Sequence, residues 1–415
     1  NREFNRAKAT FDHLGAGDRI YLVEAGEDAG PGTDEALLAF LRALGIGEPL
    51  RAAGAAPRDR RGDYDPRPRL HRQFDQLAEY TQRLLRESQH RRREFWARAG
   101  SSSIAKWPES CRWYREYLHD EVIGRCEPAS LPPGPRTRRI LDEPRFIGYE
   151  VMLDVWPDVF AWGVLLVPKD LEPEERRPVV VCQHGLEGRP DPVVNPRTQG
   201  LYNSFGAKLA DEGFVVFAPQ NPYIGGNDFR VLQRKANPLK QSLFSVITRQ
   251  HERILEWLSS QPFVDAKRIG FYGISYGGKT AMRVPPLLPQ YALAICSADF
   301  NEYAYKVASS DYPFGFMFVH EYEIPEFDFA NTFNHAELAG LIAPRPFMVE
   351  RGHGDGVAPD EWVGYEYAKV RRLYAGLGIP DLTEIEFFSG GHEIHAVGTF
   401  AFLRKHLNWP AARSR

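Results

Sequence analysis

The stretch Phe271-Tyr272-Gly273-Ile274-Ser275-Tyr276-Gly277-Gly278-Lys279 decides the fold, because it has the form of a sharp turn between a strand and a helix. The apolar run 268–272 predicts a buried strand, and residues 279–284 predict a short helix. A serine on so tight a turn has a strained backbone, and side chains two positions away on either side would collide. Gly273 and Gly277 avoid that collision. The stretch therefore predicts a projecting, nucleophilic Ser275.

The composition is that of a large globular protein. The chain has 415 residues, of which 43% are apolar and 26% charged, and its formal net charge is −3. Nothing global therefore attracts it to nucleic acid or to an acidic membrane, and no apolar stretch approaches the roughly 20 residues of a membrane helix. The first residue is Asn1 and not Met, so loss of a targeting segment stays open, as does the compartment.

The four cysteines are too few to stabilise a fold of this size by disulfides. Cys182 and Cys296 lie in apolar runs, which is typical of buried reduced thiols. Whether Cys111 pairs with Cys126 stays open at this point.

From about residue 145 the sequence alternates between strand and helix patterns. Strands are predicted by apolar, β-branched and aromatic runs at 146–155, 160–167, 178–183, 214–218, 268–272, 291–296, 346–350 and 383–388. Helices are predicted near 204–210, from 237 to 258, and at 359–375 and 396–407. This alternation predicts an α/β fold with a mostly parallel sheet covered on both faces, and it puts the chemistry beyond the carboxyl ends of the strands. We assign 145–415 to this catalytic domain.

A serine nucleophile needs a base, and the base needs an acid to orient it. In such sheets the acid and the base follow later strands, in the order Ser, Asp, His. Asp355 lies in the loop after the strand at 346–350, and His392 lies in a glycine-rich loop after the strand at 383–388. The predicted triad is therefore Ser275, Asp355 and His392. The alternatives that stay open are Glu350 and Asp360 for the acid, and His395 for the base.

The negative oxygen of an acyl-transfer intermediate needs hydrogen-bond donors. We expect one to be the backbone N–H of Tyr276, directly after the serine. The other should come from the loop 184–188, where Leu186 is the first choice and its neighbours stay open; His184 is expected to brace this loop. The run from His392 to His395 is one residue short of H-E-x-x-H, so the imidazoles would not share a helix face. We expect no metal and no cofactor.

Four motifs together resemble the dienelactone hydrolase and acetyl xylan esterase-like branch of the α/β-hydrolase superfamily. They are Gln183-His184-Gly185, Gly273-Ile274-Ser275-Tyr276-Gly277-Gly278, Leu341-Ile342-Ala343-Pro344-Arg345-Pro346 and Gly390-Gly391-His392. The resemblance covers about 145–409. It implies a doubly wound α/β-hydrolase sheet, with Ser275 as nucleophile, Asp355 as orienting acid and His392 as general base. Dienelactone hydrolases proper use a cysteine nucleophile, so the serine implies esters of ordinary alcohols.

Two segments precede this domain. Residues 1–48 contain a predicted strand at 19–23, a loop, and an amphipathic helix from Thr33 to Leu44 with Thr33 as N-cap. This order resembles the last strand, loop and helix of an α/β-hydrolase domain, which suggests the tail of a preceding domain; a chance likeness is the alternative. Residues 49–144 are predicted to be a linker to about residue 70 and then a mainly helical extension, with helices at 74–96 and 107–122.

The insertion 299–333 is rich in aromatic residues, and it is expected either to wall a sugar or aryl ester site or to pack on itself as a lid. These residues are Phe300, Tyr303, Tyr305, Tyr312, Phe314, Phe316, Phe318 and Tyr322. The sequence as a whole predicts a serine esterase acting on a small-molecule ester, with a carbohydrate-linked ester as one candidate, and with no nucleic-acid or membrane partner. The alternatives are a prolyl oligopeptidase-type peptidase, suggested by Tyr276-Gly277-Gly278, and a catalytically silent hydrolase-fold module. Acyl group, alcohol and oligomeric state stay open.

Overall fold

A computed structural model describes residues 1–27, 29–30, 32–52, 54–100, 103–319, 321 and 324–410. The chain divides into two compact units, Asn1–Leu70 and His71–Arg415. The second unit contains a sheet of nine strands. These are β1 (Arg136–Asp142), β2 (Phe146–Trp156), β3 (Val159–Pro168), β4 (Arg177–Gln183), β5 (Val215–Pro219), β6 (Val264–Ile274), β7 (Leu293–Ser297), β8 (Phe347–Gly352) and β9 (Thr383–Phe388).

The order of strands across the sheet is β1-β2-β3-β5-β4-β6-β7-β8-β9. The six strands β4 to β9 are parallel to one another. The pairs β1–β2, β2–β3 and β3–β5 are antiparallel. The predicted mostly parallel α/β sheet is therefore confirmed. Because all parallel strands end at one edge, the loops after β4, β6, β8 and β9 meet there.

Fifteen α-helices are assigned in the described residues. They are α1 (Arg2–His13), α2 (Asp34–Ala43), α3 (Arg67–Phe95), α4 (Trp107–Ser110), α5 (Arg112–Tyr117), α6 (Asp191–Val194), α7 (Phe205–Asp211), α8 (Asn227–Ala236), α9 (Leu243–Ser259), α10 (Tyr276–Ala281), α11 (Tyr303–Ala308), α12 (Phe329–Thr332), α13 (His335–Ile342), α14 (Asp360–Gly376) and α15 (Gly398–His406).

The sheet is covered on both faces, as β4 illustrates. All seven of its residues are buried, which fits its run of valines. Val179 and Val181 belong to one apolar cluster, which includes residues of α9, α13 and α14. Val180 and Cys182 belong to a second cluster, with residues of α7 and α15. Alternate side chains thus serve opposite faces, which confirms the doubly wound arrangement.

Several boundaries differ from the sequence predictions. Strand β1 lies before residue 145, in the range assigned to the helical extension; its residues are mostly exposed, so it lacks the apolar pattern of a buried strand. Helix α9 begins at Leu243 rather than near 237, because Lys240 has a left-handed backbone (φ +57°) and Ser242 forms a capping box with Ser245. Helix α8 was not predicted, since its sequence is largely polar.

In the unit Asn1–Leu70, helix α2 is confirmed, with the Thr33 hydroxyl accepting from Ala36 N–H at 3.3 Å. The predicted strand at 19–23 is wrong: residues 17–19 form a 3-10 turn, and the extended residues after it pair with no strand in the described part of the chain. A strand needs a hydrogen-bonding neighbour, and an apolar run alone does not supply one. Leu37 and Phe40 on α2 are exposed. The interpretation of this segment as the tail of a preceding domain stays a prediction.

All four cysteines are buried and free, so Cys111 and Cys126 do not pair. Among the described residues no helix is long and apolar enough to cross a membrane. The same residues contain no group of three or more His, Cys, Asp or Glu side chains placed to hold a metal ion.

Candidate active site

Ser275 lies on the turn between β6 and α10, with φ +60° and ψ −123°. This is a rarely populated region for a residue with a side chain. The flanking glycines explain how the chain tolerates it. A Cβ atom on Gly273 would lie 2.2 Å from Gly277 O, and one on Gly277 would lie 2.4 Å from Gln183 O. The turn therefore admits no side chain at either position, as the sequence predicted.

The turn is tied to its neighbouring strands. Ser275 N–H donates to Ser297 O at the end of β7, at 3.0 Å. On the other side, a Cβ atom on Gly185 would lie 3.3 Å from Ser275 Oγ, so the loop after β4 passes directly beside the hydroxyl. This contact brings the predicted nucleophile and the predicted oxyanion loop together.

Hydrogen bonds occupy the N–H groups on both sides of Leu186 in that loop. Gly185 N–H donates to Tyr202 Oη at 3.0 Å, Glu187 N–H to Tyr223 O at 3.1 Å and Gly188 N–H to Gly185 O at 3.0 Å. Leu186 N–H has no acceptor within the described part of the chain. Of the neighbours that the sequence left open, the contacts thus favour Leu186.

His184 braces this loop through hydrogen bonds of its imidazole ring. Its Nε2 accepts from Asn221 N–H at 3.2 Å, and its Nδ1 lies 2.8 Å from Gly185 O. Burial lowers the pKa of His184 to about 4, so the ring is neutral near pH 7 and its Nδ1–H is free to donate to that carbonyl. A second buried histidine, His251, extends this hydrogen-bond network, since its Nε2 lies 3.2 Å from Asn221 Oδ1. Sequence reasoning predicted the brace but missed Asn221 and His251, which lie on other elements.

Asp355 and His392 lie together after β8 and β9, with Asp355 Oδ2 3.0 Å from His392 Nδ1. The Asp355 side chain is fully buried, whereas that of His392 is 30% exposed. The two atoms are at ion-pair distance, but the N–H is not aligned as a hydrogen bond. No hydrogen bond joins Ser275 Oγ to His392 in the residues described. Catalytic hydrogen bonds are commonly long or misaligned without substrate.

Arg351 holds the loop that carries Asp355. Its Nη1 lies 3.2 Å from Asp355 Oδ2, its Nη2 donates to Asp355 O at 2.8 Å, and it is buried. Asp355 Oδ1 accepts from Val357 N–H at 2.9 Å, and Lys306 of the insertion donates to Val357 O. No sequence signal pointed to Arg351 or Lys306, because an arginine in a strand and a lysine in an insertion are ordinary.

The rival residues have other partners. Asp360 accepts from Arg351 Nε at 2.9 Å and lies 2.5 Å from His353 Nδ1. His395 Nδ1 lies 2.8 Å from Glu386 Oε1, and its ring stacks on Phe388. Neither residue has a contact with Asp355 or His392 among the described contacts.

Glu350, the third rival, is fully buried and accepts from five donors. They are Tyr272 Oη (2.8 Å), Ser297 Oγ (2.6 Å), Thr399 Oγ1 (3.3 Å), His395 N–H (3.2 Å) and Ala396 N–H (3.1 Å). Burial raises the pKa of Glu350, and the Ser297 and Tyr272 hydroxyls oppose that shift. Glu350 thus anchors the chain just after His392 to the strands beside the elbow.

Comparisons with known proteins identify the fold to which this site belongs. Residues 172–296 match the model of the Dienelactone hydrolase family. The chain has the α/β-hydrolase fold. The predicted resemblance to the dienelactone hydrolase and acetyl xylan esterase-like branch is confirmed.

Three proteins illustrate the likeness. "Putative hydrolase YtaP" of Bacillus subtilis (strain 168) is 25% identical over 291 residues, which are 68% of this chain and 94% of YtaP. Glucuronoyl esterase from Solibacter usitatus matches at a TM-score of 0.53 and 15% identity, over 73% of this chain and 94% of that one. Acetyl xylan esterase 1 from Thermoanaerobacterium sp. JW/SL YS485 matches at a TM-score of 0.50 and 17% identity, over 77% of this chain and 98% of that one. The two solved structures show the same fold, and the family model and YtaP support a hydrolase.

Proposed function

We propose that the chain is a serine esterase in which Ser275 attacks the ester carbonyl carbon. His392 takes the hydroxyl proton and then gives it to the leaving alcohol, while Asp355 orients the imidazole and stabilises its charged form. A water molecule, deprotonated by His392, then hydrolyses the acyl-enzyme and releases the carboxylic acid. The backbone N–H groups of Leu186 and Tyr276 bind the negative oxygen of both tetrahedral intermediates.

One observation carries this proposal. The strained Ser275 lies beside the loop that has an available N–H group, at the sheet edge where Asp355 and His392 lie 3.0 Å apart. Glycine could adopt this backbone conformation without strain, so a strained serine at the position is a sign of function. The strain supports a nucleophilic role for the serine.

The substrate that we propose is a small-molecule ester with a carbohydrate part. Support comes from the structural neighbours, whose names include acetyl xylan and glucuronoyl esterases. A neutral ester also suits a chain of formal net charge −3. No cofactor takes part in the proposed steps.

The test is labelling with a fluorophosphonate probe, with intact-mass detection, of the wild type, Ser275→Ala and the control Ser259→Ala. Ser259 ends α9 and is exposed. We expect one adduct on the wild type and on Ser259→Ala, and none on Ser275→Ala. Absence of an adduct on folded wild type would contradict the proposal and favour the silent module. An enzyme that is labelled but cleaves peptide anilides in preference to p-nitrophenyl esters would favour the peptidase.

A further inference from the structure

A cavity of about 260 Å³ lies beside the acid loop, between α3, the insertion and α14. Aromatic rings dominate its lining: Tyr305 and Tyr312 come from the insertion, and Trp362 and Tyr365 from the first turns of α14. The aromatic residues of the insertion thus fall into two groups, one in the core and one in the cavity wall. Phe300 and Tyr303 are buried in the core, whereas Tyr312 is 42% exposed. Tyr322 lies outside the described residues.

The rings form walls and do not stack face to face. The centroids of Tyr312 and Trp362 are 5.0 Å apart at 81°, and those of Tyr305 and Tyr312 are 6.1 Å apart at 64°. Tyr365 is 48% exposed at the rim. Aromatic area left open in a concave site is typical of ligand binding.

Polar groups in the wall are held in place. Gln89 of α3 donates to the hydroxyl of Tyr365. Arg92 is buried and donates to Ala330 O, while its Nε lies 3.4 Å from Glu337. Fixed hydrogen-bonding groups between rings suit a ligand that has both apolar faces and a hydroxyl edge.

The charges of the wall are already paired within the protein. Besides the pair of Arg92 and Glu337, Arg86 binds Glu79 at 2.7 Å, and Glu302 lies 3.7 Å from Lys369. An ionic ligand would find no uncompensated charge here. The cavity therefore favours a neutral ligand.

We infer that this cavity binds an uncharged sugar ring of the substrate, at a subsite away from the scissile ester; this inference rests on the proposed esterase function. A pyranose has C–H faces that pack on aromatic rings and hydroxyls that reach groups such as Gln89. Drug-sized ligands fill roughly 300–1,000 Å³, so a smaller cavity suits a single ring. Trp362 follows Asp360, which Arg351 connects to the acid Asp355. The subsite thus borders the catalytic loop.

The first experiment compares kcat/KM for acetylated xylotetraose with kcat/KM for p-nitrophenyl acetate. The variants are Tyr312→Ala and Trp362→Ala, with Phe160→Ala, an exposed aromatic on β3, as control. We expect the ratio of the two values to fall about tenfold in both subsite variants and to stay constant in the control. An unchanged ratio in Tyr312→Ala, which lies outside the acid loop, would overturn the inference even if Trp362→Ala folds poorly.

A binding measurement separates the two proposals. Ester-free xylotetraose is titrated into Ser275→Ala and into the double variant Ser275→Ala, Tyr312→Ala, and chemical shifts are followed by NMR. Binding that the second substitution weakens would support the subsite even if the wild type cleaves no ester. The opposite result is also informative. If the wild type hydrolyses p-nitrophenyl acetate but Ser275→Ala binds no xylotetraose, the esterase proposal is supported and the subsite is overturned. Preference for a charged uronate chain would likewise overturn the neutral ligand.

Discussion

The two halves of the candidate site are built by different means. On the nucleophile side, the geometry of Ser275 follows from two glycines close to it in sequence, at which any side chain would meet backbone within 2.4 Å. On the acid–base side, Arg351 holds Asp355 from four residues away, whereas Lys306 contacts Val357 in the Asp355 loop from 51 residues away, and Glu350 holds His395 beside His392 from 45 residues away. The first half depends on steric limits at two glycines of one turn, and the second depends on polar contacts, most of which join segments far apart in the chain.

The largest effect is expected from Gly273→Ala, which tests the local half. The new methyl group would lie 2.2 Å from Gly277 O, so the turn has to open. We expect loss of fluorophosphonate labelling and several kcal/mol of lost stability in urea unfolding. The matched control is Gly376→Ala, since nothing lies within 4 Å of a Cβ atom at this α14 position. It should gain roughly 0.5–1 kcal/mol. Equal behaviour of the two variants would contradict the steric explanation.

Asp355→Asn breaks the long-range half at its centre. We expect kcat to fall about 10³–10⁴-fold while the fold persists, because an amide neither orients the imidazole correctly nor stabilises its charged form. Asp360→Asn is the matched control, because this rival pairs with Arg351 and His353 instead. Its kcat should change less than about tenfold. A larger loss from Asp360→Asn than from Asp355→Asn would reverse the assignment of the acid.

Glu350→Gln tests the anchor beneath the His392 loop. The amide keeps the shape but turns an NH2 group toward donors, and it removes the charge that five donors share. We expect a loss of about 2–3 kcal/mol in the free energy of unfolding. We also expect kcat to fall about 10- to 100-fold with KM little changed, as for a positioning residue. Glu384→Gln, at a half-buried position in β9, serves as control, and an equally small effect from both would show that Glu350 is only a core residue.

The smallest effect on activity is expected from Asp299→Asn, a buried carboxylate next to the elbow. Unlike Glu350, its Oδ2 has no hydrogen-bond partner among the described residues. Burial raises the pKa of Asp299 to about 6, and Lys306, Arg283 and Lys279 oppose the shift. Between pH 4 and pH 6 the folded state therefore binds more protons than the unfolded state, so this carboxyl lowers stability as pH rises through that window.

Urea unfolding from pH 4 to pH 7 checks this expectation. Relative to the wild type, Asp299→Asn should gain up to about 3 kcal/mol in the free energy of unfolding as pH rises from 4 to 7. The comparison cancels the other groups that titrate in both proteins. Parallel pH profiles would mean that Asp299 is not the buried acid that titrates in this range.

The same division explains what could be predicted. Ser275, its two glycines and the parallel strands were readable because they depend on neighbours in sequence or on simple periodicity. Strand β1 and helix α8 were missed because neither carries the apolar pattern of a buried element. The strand prediction from the apolar run at 19–23 was wrong because a strand needs a pairing partner, and the described structure has none for this segment.

The sequence by itself determined the α/β sheet, the strained serine turn and the loops in which an acid and a base had to be sought. Only the tertiary structure brought Asp355 to His392, gave Glu350, Asp360 and His395 other partners, and left Leu186 N–H as the available donor. It also brought Tyr312 and Trp362, far apart in the chain, to one cavity. The physical reason is range: the close approach of Gly273 to Gly277 lies within one turn of the chain, whereas a hydrogen-bond partner or a ring contact depends on which distant segments the sheet brings together.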